Sequence, residues 1–291
     1  MFPINPLVSA TELKAKLSVP DNQPDKQLVV VDASMHLPNT NRDAWQEHQQ
    51  GHIPGAVFFD IDRIADVNNE LPHMLPGASE FSKSVASLGI GGNTSVVVYD
   101  SVGLFSAARV WWMFAVFGHD NVQVLDGGLP AWIASGGELE TGVVNVTVNS
   151  DPVKARLHQD SVAGLQTVRD ALNNDGIKIL DARSKARFDG AVPEPREGLR
   201  SGHMPGACSL PYTELLTTDD DKLMLMKPAA EMAAIFKKCG VEPHDSVITS
   251  CGSGVTAAVI TLGLHIAGFE PGRLYDGSWT EWGSRSDTPV D

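Results

Sequence analysis

The segment Gly51-His52-Ile53-Pro54-Gly55-Ala56 occurs twice in this chain of 291 residues, the second time 151 positions later as Gly202-His203-Met204-Pro205-Gly206-Ala207. Two further pairs of segments keep the same order with shifts of 149 and 150: Val31-Asp32-Ala33-Ser34 with Leu180-Asp181-Ala182-Arg183, and Leu125-Asp126-Gly127-Gly128 with Tyr275-Asp276-Gly277-Ser278. Such a period is far too long for a solenoid repeat. The collinear matches therefore predict two globular copies of one domain.

Each copy shows the alternation of short apolar runs and helical patterns that is typical of an α/β domain. In the first copy, apolar runs at 28–31, 56–59, 96–99 and 122–125 alternate with helical patterns at 44–50, 80–88, 105–117 and 129–135. Continuous apolar runs indicate strands that are buried on both faces of a parallel sheet. We predict an N-terminal domain at 1–138, an extended linker at 139–160 and a C-terminal domain at 161–291, each domain a parallel sheet flanked by helices.

Several local signals predict where individual helices begin. Ser9-Ala10-Thr11-Glu12 is a capping-box pattern, Ser79 is the expected cap of the helix at 80–88, and Pro228 suits the first position of the helix before Cys239. The large aromatic residues Trp111, Trp112 and Tyr99 are expected in the core of the first domain.

Charge and cysteine content exclude several classes of protein. The formal net charge of −14 argues against a general nucleic-acid or anionic-membrane binder. The three cysteines, Cys208, Cys239 and Cys251, contain no Cys-x-x-Cys pair, so we expect neither a disulfide framework nor a zinc site. We interpret Cys208 and Cys239 as buried structural thiols.

The first 20 residues show no signal- or transit-peptide pattern, and no apolar run could span a bilayer, so we expect a cytoplasmic protein. The acidic run Asp219-Asp220-Asp221 is interpreted as a solvated loop.

The loop Cys251-Gly252-Ser253-Gly254-Val255-Thr256 places a cysteine between an apolar strand at 247–250 and a helical pattern that begins at Ala257. Glycines let the backbone take left-handed angles or approach a ligand closely, and N–H groups at a helix N-terminus stabilise a thiolate. A lone cysteine on a tight turn is often only a buried residue. The strand–cysteine–glycine–helix context nevertheless favours a reactive nucleophile.

The duplication provides an internal control for this cysteine. Subtraction of the 151-residue shift from Cys251 gives Asp100, in Asp100-Ser101-Val102-Gly103. The first copy therefore cannot perform the same thiol chemistry, but it can contribute walls and side chains to a cleft between the domains.

The repeat, the Gly-His-x-Pro-Gly turns and the Cys-Gly-Ser-Gly-Val-Thr loop together resemble the tandem-domain rhodanese sulfurtransferases over essentially the whole chain. In this family only the C-terminal domain carries the cysteine. Thiosulfate-preferring members have basic residues after the cysteine, whereas this loop has Gly252 and Ser253. The loop thus looks like the 3-mercaptopyruvate branch, with thiosulfate sulfurtransferase as the alternative and a non-catalytic sulfur-relay or binding module as a more remote one. A cysteine phosphatase on the related fold would need an arginine where this chain has Ala257.

The resemblance also implies roles for individual residues. Arg187 and Arg196 would hold the carboxylate and keto oxygens of the donor, for which guanidinium groups are natural bidentate partners; a surface salt bridge is the alternative for each. Asp62, His73 and Ser253 would form a proton relay across both domains. The sequence alone does not choose between Asp60 and Asp62. The loop residues Gly252, Gly254, Val255 and Thr256 would contact the donor. His52 and His203 belong to the repeated turns and are expected to be structural.

The reaction implied by the resemblance is a double displacement. Cys251 attacks the sulfur of 3-mercaptopyruvate, pyruvate leaves, and the persulfide on Cys251 passes its sulfur to a thiol such as thioredoxin, to a small thiol or to cyanide. This scheme calls for no metal or organic cofactor.

Overall fold

The computed structural model describes residues 2–18, 27–38, 40–174, 176–218 and 223–291. The acidic run Asp219-Asp220-Asp221 lies outside the described residues. No helix in the described part of the chain is both long and apolar enough to cross a membrane.

The first domain is built around a five-stranded parallel sheet in the order β1-β5-β4-β2-β3. Its strands are β1 (Leu7–Val8), β2 (Leu28–Asp32), β3 (Val57–Phe58), β4 (Ser95–Tyr99) and β5 (Val122–Leu125). Its helices are α1 (Ala10–Leu17), α2 (Ala44–Gln50), α3 (Ala78–Ser87), α4 (Ala107–Val116) and α5 (Gly128–Ala134). Helix α1 begins with the predicted capping box, since the Ser9 side chain accepts from Glu12 N and the Glu12 side chain accepts from Ser9 N.

The second domain repeats this sheet in the order β6-β12-β11-β7-β8, again with every strand parallel to its neighbours. Its strands are β6 (Val162–Ala163), β7 (Ile177–Asp181), β8 (Cys208–Ser209), β11 (Ser246–Ser250) and β12 (Arg273–Tyr275). Its helices are α6 (Leu165–Ala171), α7 (Lys185–Phe188), α8 (Ala229–Lys238), α9 (Ala257–Ile266) and α10 (Ser278–Ser284). The prediction of two parallel α/β domains is confirmed.

A small antiparallel hairpin, β9 (Leu216–Thr218) with β10 (Met224–Met226), was not predicted from the sequence. It lies against the first domain, where Met226 N donates to Asp126 Oδ1 over 2.9 Å. A side chain at Gly127 would collide with Leu225, because an added Cβ would lie 2.6 Å from Leu225 Cδ2. The hairpin thus fastens the second domain onto the first.

Two helix starts differ from the sequence predictions. Helix α3 begins one residue before Ser79, and its cap is Gly77, which makes no side-chain capping bond. Pro228 is the residue that precedes α8 rather than the first residue of the helix. In both cases the predicted helix exists and its boundary is shifted by one or two residues, as is usual at helix ends.

The segment that joins the two domains lies extended across the first domain. Glu140 and His52 exchange backbone hydrogen bonds of 2.9 Å in each direction, Asn149 N donates to Ala86 O, and His158 N donates to Val116 O. The connection is therefore held along its length.

One large hydrophobic cluster extends through both domains, and each domain has a smaller cluster of its own. Helix α4 packs against α9, and residues of both domains, including Leu104, Trp111, Val255 and Ile260, belong to the same buried cluster. Trp111, Trp112 and Tyr99 are fully buried, as expected. The cleft between the domains is consequently built on a continuous packed interior.

The expectation that Cys208 and Cys239 are separate thiols is wrong. They form a disulfide that joins β8 to the C-terminal end of α8, with 31 residues of sequence separation and 5.8 Å between their Cα atoms. The fold brings together two cysteines whose spacing carries no local signal, and Cys251 is the free cysteine.

Candidate active site

Cys251 follows the last residue of β11, at the edge of the sheet where β7 also ends. Its side chain is buried, with 2% of the residue exposed. The backbone N–H and C=O groups of Cys251 are both bonded to the start of α10. Cys251 N donates to Ser278 Oγ over 3.2 Å, and Trp279 N donates to Cys251 O over 3.0 Å. The backbone of the cysteine is therefore held from the opposite side of the loop.

The two glycines of the loop serve different purposes. Gly254 has a φ of 78°, which is the left-handed region where glycine is favoured, and an added Cβ would lie 3.0 Å from Arg109 Nη1. Gly252 has no such angle, but an added Cβ would lie 3.0 Å from Arg187 Nη2. Gly252 therefore allows an arginine to lie directly over the loop.

The equivalent loop of the first domain shows what its backbone is built to hold. The buried Asp100 carboxylate accepts five backbone N–H groups at 2.8–2.9 Å, those of Val102, Gly103, Phe105, Ser106 and Ala107. Converging N–H groups of this kind make an anion-binding nest.

The 151-residue shift maps four of these donors onto Ser253, Gly254, Thr256 and Ala257. Among the described residues, none of these four N–H groups donates to a protein oxygen. The loop around Cys251 can therefore stabilise a negative charge on sulfur, as Asp100 is stabilised in the first copy.

Asp62, His73 and Ser253 form a continuous chain across the two domains. His73 Nδ1 lies 3.0 Å from Ser253 Oγ, and His73 Nε2 lies 2.9 Å from Asp62 Oδ1. Asp60 turns away and accepts from the backbone N–H groups of Asp62 and Arg63. The hydrogen bond from His73, assisted by the charge of Arg196, holds the pKa of Asp62 below its ordinary value, although partial burial opposes this.

A buried arginine that sequence reasoning missed supports this chain. Arg109 of α4 is fully buried; its Nη2 lies 2.7 Å from Asp276 Oδ1 and donates to His73 O over 2.5 Å. Its Nη1 donates to Gly254 O over 3.3 Å. Asp276 in turn accepts from Leu75 N over 2.7 Å. One guanidinium thus ties the His73 segment, which has a φ of 61° at His73, to the cysteine loop.

Arg187 is held by a second missed residue, Glu194. The Glu194 carboxylate is 1% exposed and accepts from Arg187 Nε over 3.2 Å and from Arg187 Nη2 over 2.5 Å. It also accepts from Arg183 Nη1 over 2.9 Å. Arg183 is itself paired with Asp181 and stacked on Trp279, with its guanidinium carbon 4.1 Å from the ring centre. Arg187 is therefore fixed in place rather than free to move with solvent.

Arg196 is the unpaired cation of the site. No carboxylate lies within ion-pair distance of Arg196 among the described residues, and its side chain is half-buried. Burial lowers its pKa, while the nearby Cys251 and Asp62 act in the opposite direction. A half-buried guanidinium without a partner is suited to bind an anion.

A cavity of about 250 Å³ lies between the domains beside Cys251. Asp62 and His73 are not among the residues that line this cavity, and they approach it through Ser253. Both predicted arginines line it, together with Cys251, Gly252, Ser253, Val255 and Thr256. Gly254 does not line it and instead packs against Arg109 and Asp276, so its contact with the donor stays a prediction. The first domain contributes an apolar wall formed by Met35, Leu37 and Phe105.

The pattern of the rhodanese-like domain matches this chain twice, over residues 9–135 and 165–285. The chain belongs to the rhodanese-like family. Within its two rhodanese-like domains, His52 and His203 have the expected structural contacts: His52 Nδ1 lies 2.8 Å from His48 O, and His203 Nδ1 lies 2.9 Å from Phe188 O.

Several proteins that are similar to this chain carry the name sulfurtransferase. The chain is 41% identical to the 3-mercaptopyruvate sulfurtransferase of Escherichia coli (strain K12), over 92% of this chain and 93% of that protein. It is 40% identical to thiosulfate/3-mercaptopyruvate sulfurtransferase 1, mitochondrial, of Arabidopsis thaliana, over 98% of this chain and 78% of that protein. The crystal structure of SseA from Escherichia coli, described as a 3-mercaptopyruvate sulfotransferase, superposes with a TM-score of 0.82 at 38% identity, covering 94% and 99% of the two chains.

Proposed function

We propose that this protein transfers sulfur from 3-mercaptopyruvate to a thiol acceptor through a persulfide on Cys251. The observation that carries this choice of donor is the chain from Asp62 through His73 to the Ser253 hydroxyl. Release of pyruvate from 3-mercaptopyruvate breaks a carbon–sulfur bond and leaves an enolate that must be protonated. Release of sulfite from thiosulfate needs no proton on carbon, so a relay beside the nucleophile suits the organic donor.

The first half-reaction follows from the geometry. The Cys251 thiolate attacks the donor sulfur, an S–S bond forms, and the electron pair of the broken C–S bond passes to the enolate of pyruvate. Arg196 and Arg187 bind the carboxylate and the keto oxygen, which stabilises the enolate charge as it develops. The Ser253 hydroxyl, polarised by His73, assists the proton transfer to the enolate carbon, and the loop N–H groups stabilise the persulfide.

In the second half-reaction an acceptor thiolate attacks the outer sulfur of the persulfide. The Cys251 thiolate leaves, and the acceptor becomes a persulfide or, if it is a protein dithiol, releases hydrosulfide as its own disulfide forms. Thioredoxin, a small thiol and cyanide all remain proposed acceptors. The apolar wall formed by Met35, Leu37 and Phe105 favours an organic molecule in the cleft.

The second candidate is thiosulfate sulfurtransferase, because the Arabidopsis thaliana relative is named for both donors. The test is the intact mass of reduced protein after brief exposure to each donor, with Cys251→Ser as the control. We expect a gain of one sulfur atom on the wild type alone, formed faster with 3-mercaptopyruvate. A gain with thiosulfate only would overturn the donor, and no gain with either would indicate a non-catalytic binding module.

The two arginines are tested by steady-state kinetics. We expect Arg187→Ala and Arg196→Ala to raise KM for 3-mercaptopyruvate by about tenfold or more, since each removes a charge-assisted hydrogen bond to the donor. Unchanged KM values in both variants would remove the arginines from the site.

We also propose a cytoplasmic location, because a chain with only three cysteines suits a reducing compartment. The disulfide between Cys208 and Cys239 argues in the opposite direction, since disulfides are uncommon in a reducing compartment. Fractionation of cells, combined with thiol labelling of the protein in each fraction, tests the location and the redox state of this pair together.

A further inference from the structure

Glu194 lies behind the donor-facing arginines and does not line the cavity itself. Its buried carboxylate is shared between Arg183 on one side and Arg187 on the other. Arg183 already has its own carboxylate partner, Asp181, whose Oδ2 lies 2.6 Å from Arg183 Nη2. The negative charge of Glu194 is therefore the counter-charge of Arg187.

This pairing sets the charge that a donor meets. Of the two guanidinium groups that are placed to bind the donor, Arg187 is neutralised by Glu194, whereas Arg196 has no ion pair among the described residues. Asp62 reduces the positive potential further from the relay side, but its side chain is 71% exposed and its charge is screened by solvent. The loop after Cys251 adds no basic side chain. The site offers about one uncompensated positive charge.

The two candidate donors differ in charge. At neutral pH 3-mercaptopyruvate carries one negative charge, on its carboxylate, and thiosulfate carries two. The repulsion between a second negative charge and a buried carboxylate is screened less in a partly buried site than in water, so burial makes the discrimination effective. A cavity with one uncompensated cation fits the monoanion.

We propose that Glu194 determines donor selectivity by cancelling the charge of Arg187, so that the cleft accepts a monoanionic organic thiol and disfavours a dianionic inorganic donor. This inference rests on the proposed function. Glu194 acts through Arg187 and does not touch the donor, so it is a positioning residue that sets specificity and not a catalytic residue.

The experiment replaces Glu194 by the near-isosteric glutamine. Glu194→Gln removes the negative charge but keeps an oxygen that can accept from Arg187 or Arg183. We expect kcat/KM for thiosulfate, relative to that for 3-mercaptopyruvate, to rise by about tenfold, as befits loss of one charge near a partly buried anion site. The matched control is Asp189→Asn, which removes one negative charge at the end of α7 from a carboxylate that is 42% exposed and paired with Lys185.

A purely structural role for Glu194 predicts a different result. If Glu194 only holds Arg187 in place, Glu194→Gln lowers kcat/KM for both donors in proportion, and an unchanged ratio overturns the proposal. An equal shift in Asp189→Asn would also overturn it, because the effect would then come from overall charge. Wild-type protein that gains no sulfur from 3-mercaptopyruvate would refute the proposed function instead, before any variant is compared.

A second variant covers the case in which Glu194→Gln does not fold, which circular dichroism would show. Leu37 lies on the opposite, apolar wall of the cavity and is half-buried. Leu37→Lys adds one positive charge without touching the arginine–glutamate pairs. It should raise the thiosulfate ratio in the same direction, and a fall or no change in that ratio would contradict the charge argument.

Discussion

The substitution Arg109→Met removes a buried cation that joins the two domains at the relay. Arg109 is fully buried, and Asp276, its ion-pair partner at 2.7 Å, has a side chain that is 6% exposed. Loss of one partner leaves an uncompensated buried charge, which typically costs about 3–5 kcal/mol. The carbonyl oxygens of His73 and Gly254 also lose a donor. We expect the free energy of unfolding to fall by about 3–5 kcal/mol.

Urea denaturation followed by tryptophan fluorescence measures this loss, since Trp112 stacks on the Arg109 guanidinium at 4.7 Å. The matched control is Arg63→Met, at a side chain that is 87% exposed, where a change below about 0.5 kcal/mol is expected. A cost below about 1 kcal/mol for Arg109→Met would refute the argument that the substitution leaves Asp276 as an uncompensated buried charge.

The double variant Arg109→Met/Asp276→Asn separates stability from positioning. It removes the orphaned charge while keeping an oxygen for Leu75 N, so much of the lost stability should return. The donors to His73 O and Gly254 O are still missing, so kcat should stay reduced by about 100-fold, the scale expected for misplacement of reacting groups by about 1 Å. Recovery of kcat together with stability would show that Arg109 does not position the relay.

Three further predictions concern charge and redox state. Because His73 lowers the pKa of Asp62, this carboxylate should stay ionised below its ordinary pKa of about 3.9. Its contribution to stability should be lost only as the pH falls through the lower pKa of the folded state. In a carboxyl NMR titration the pKa of Asp62 should rise in His73→Ala, and an unchanged titration would contradict this. Asp100→Asn should cost about 2–4 kcal/mol in urea denaturation, because its amide NH₂ must face at least two of the five N–H donors; the same loss in the exposed variant Asp120→Asn would remove the explanation. Alkylation of the unfolded, unreduced protein should label one cysteine, and prior reduction should expose Cys208 and Cys239 as well; three labels without reduction would disprove the disulfide.

The fold could be predicted because its signals are local and repeated. The continuous apolar run that became β4 (Ser95–Tyr99) and the segment repeats each restrict the architecture on their own. Strands β1 (Leu7–Val8) and β6 (Val162–Ala163) were missed because two residues carry no period. The disulfide was missed because pairing depends on the positions of β8 and α8 in space, which cysteine spacing does not report.

The candidate site was predictable in part for the same reason. The cysteine loop is a contiguous motif, whereas Arg109 acts through Asp276 on the other domain. Glu194 pairs with arginines 7 and 11 residues before it, and that spacing follows no regular helix or strand period. Arg109 did carry one signal, since it is the single charged residue in the otherwise apolar helix α4 (Ala107–Val116). A charge at such a position requires a buried partner. Nothing along the chain could name Asp276 as that partner, because the contact forms only when the domains pack.

The buried carboxylate of Asp100 gives the loop of the first domain a different task from that of the Cys251 loop. A thiol that reacts changes its charge and its substituents, and the loop around it must accommodate each state. A carboxylate in the equivalent position has to be held in one state only. A fixed anion in this loop makes the first domain a rigid support for the second. Five backbone N–H groups of this loop donate to the Asp100 carboxylate, which is part of the protein itself and is not exchanged. An Asp100→Cys variant would place a thiol in this loop, but without the Arg187 and Arg196 side chains that line the cavity beside Cys251.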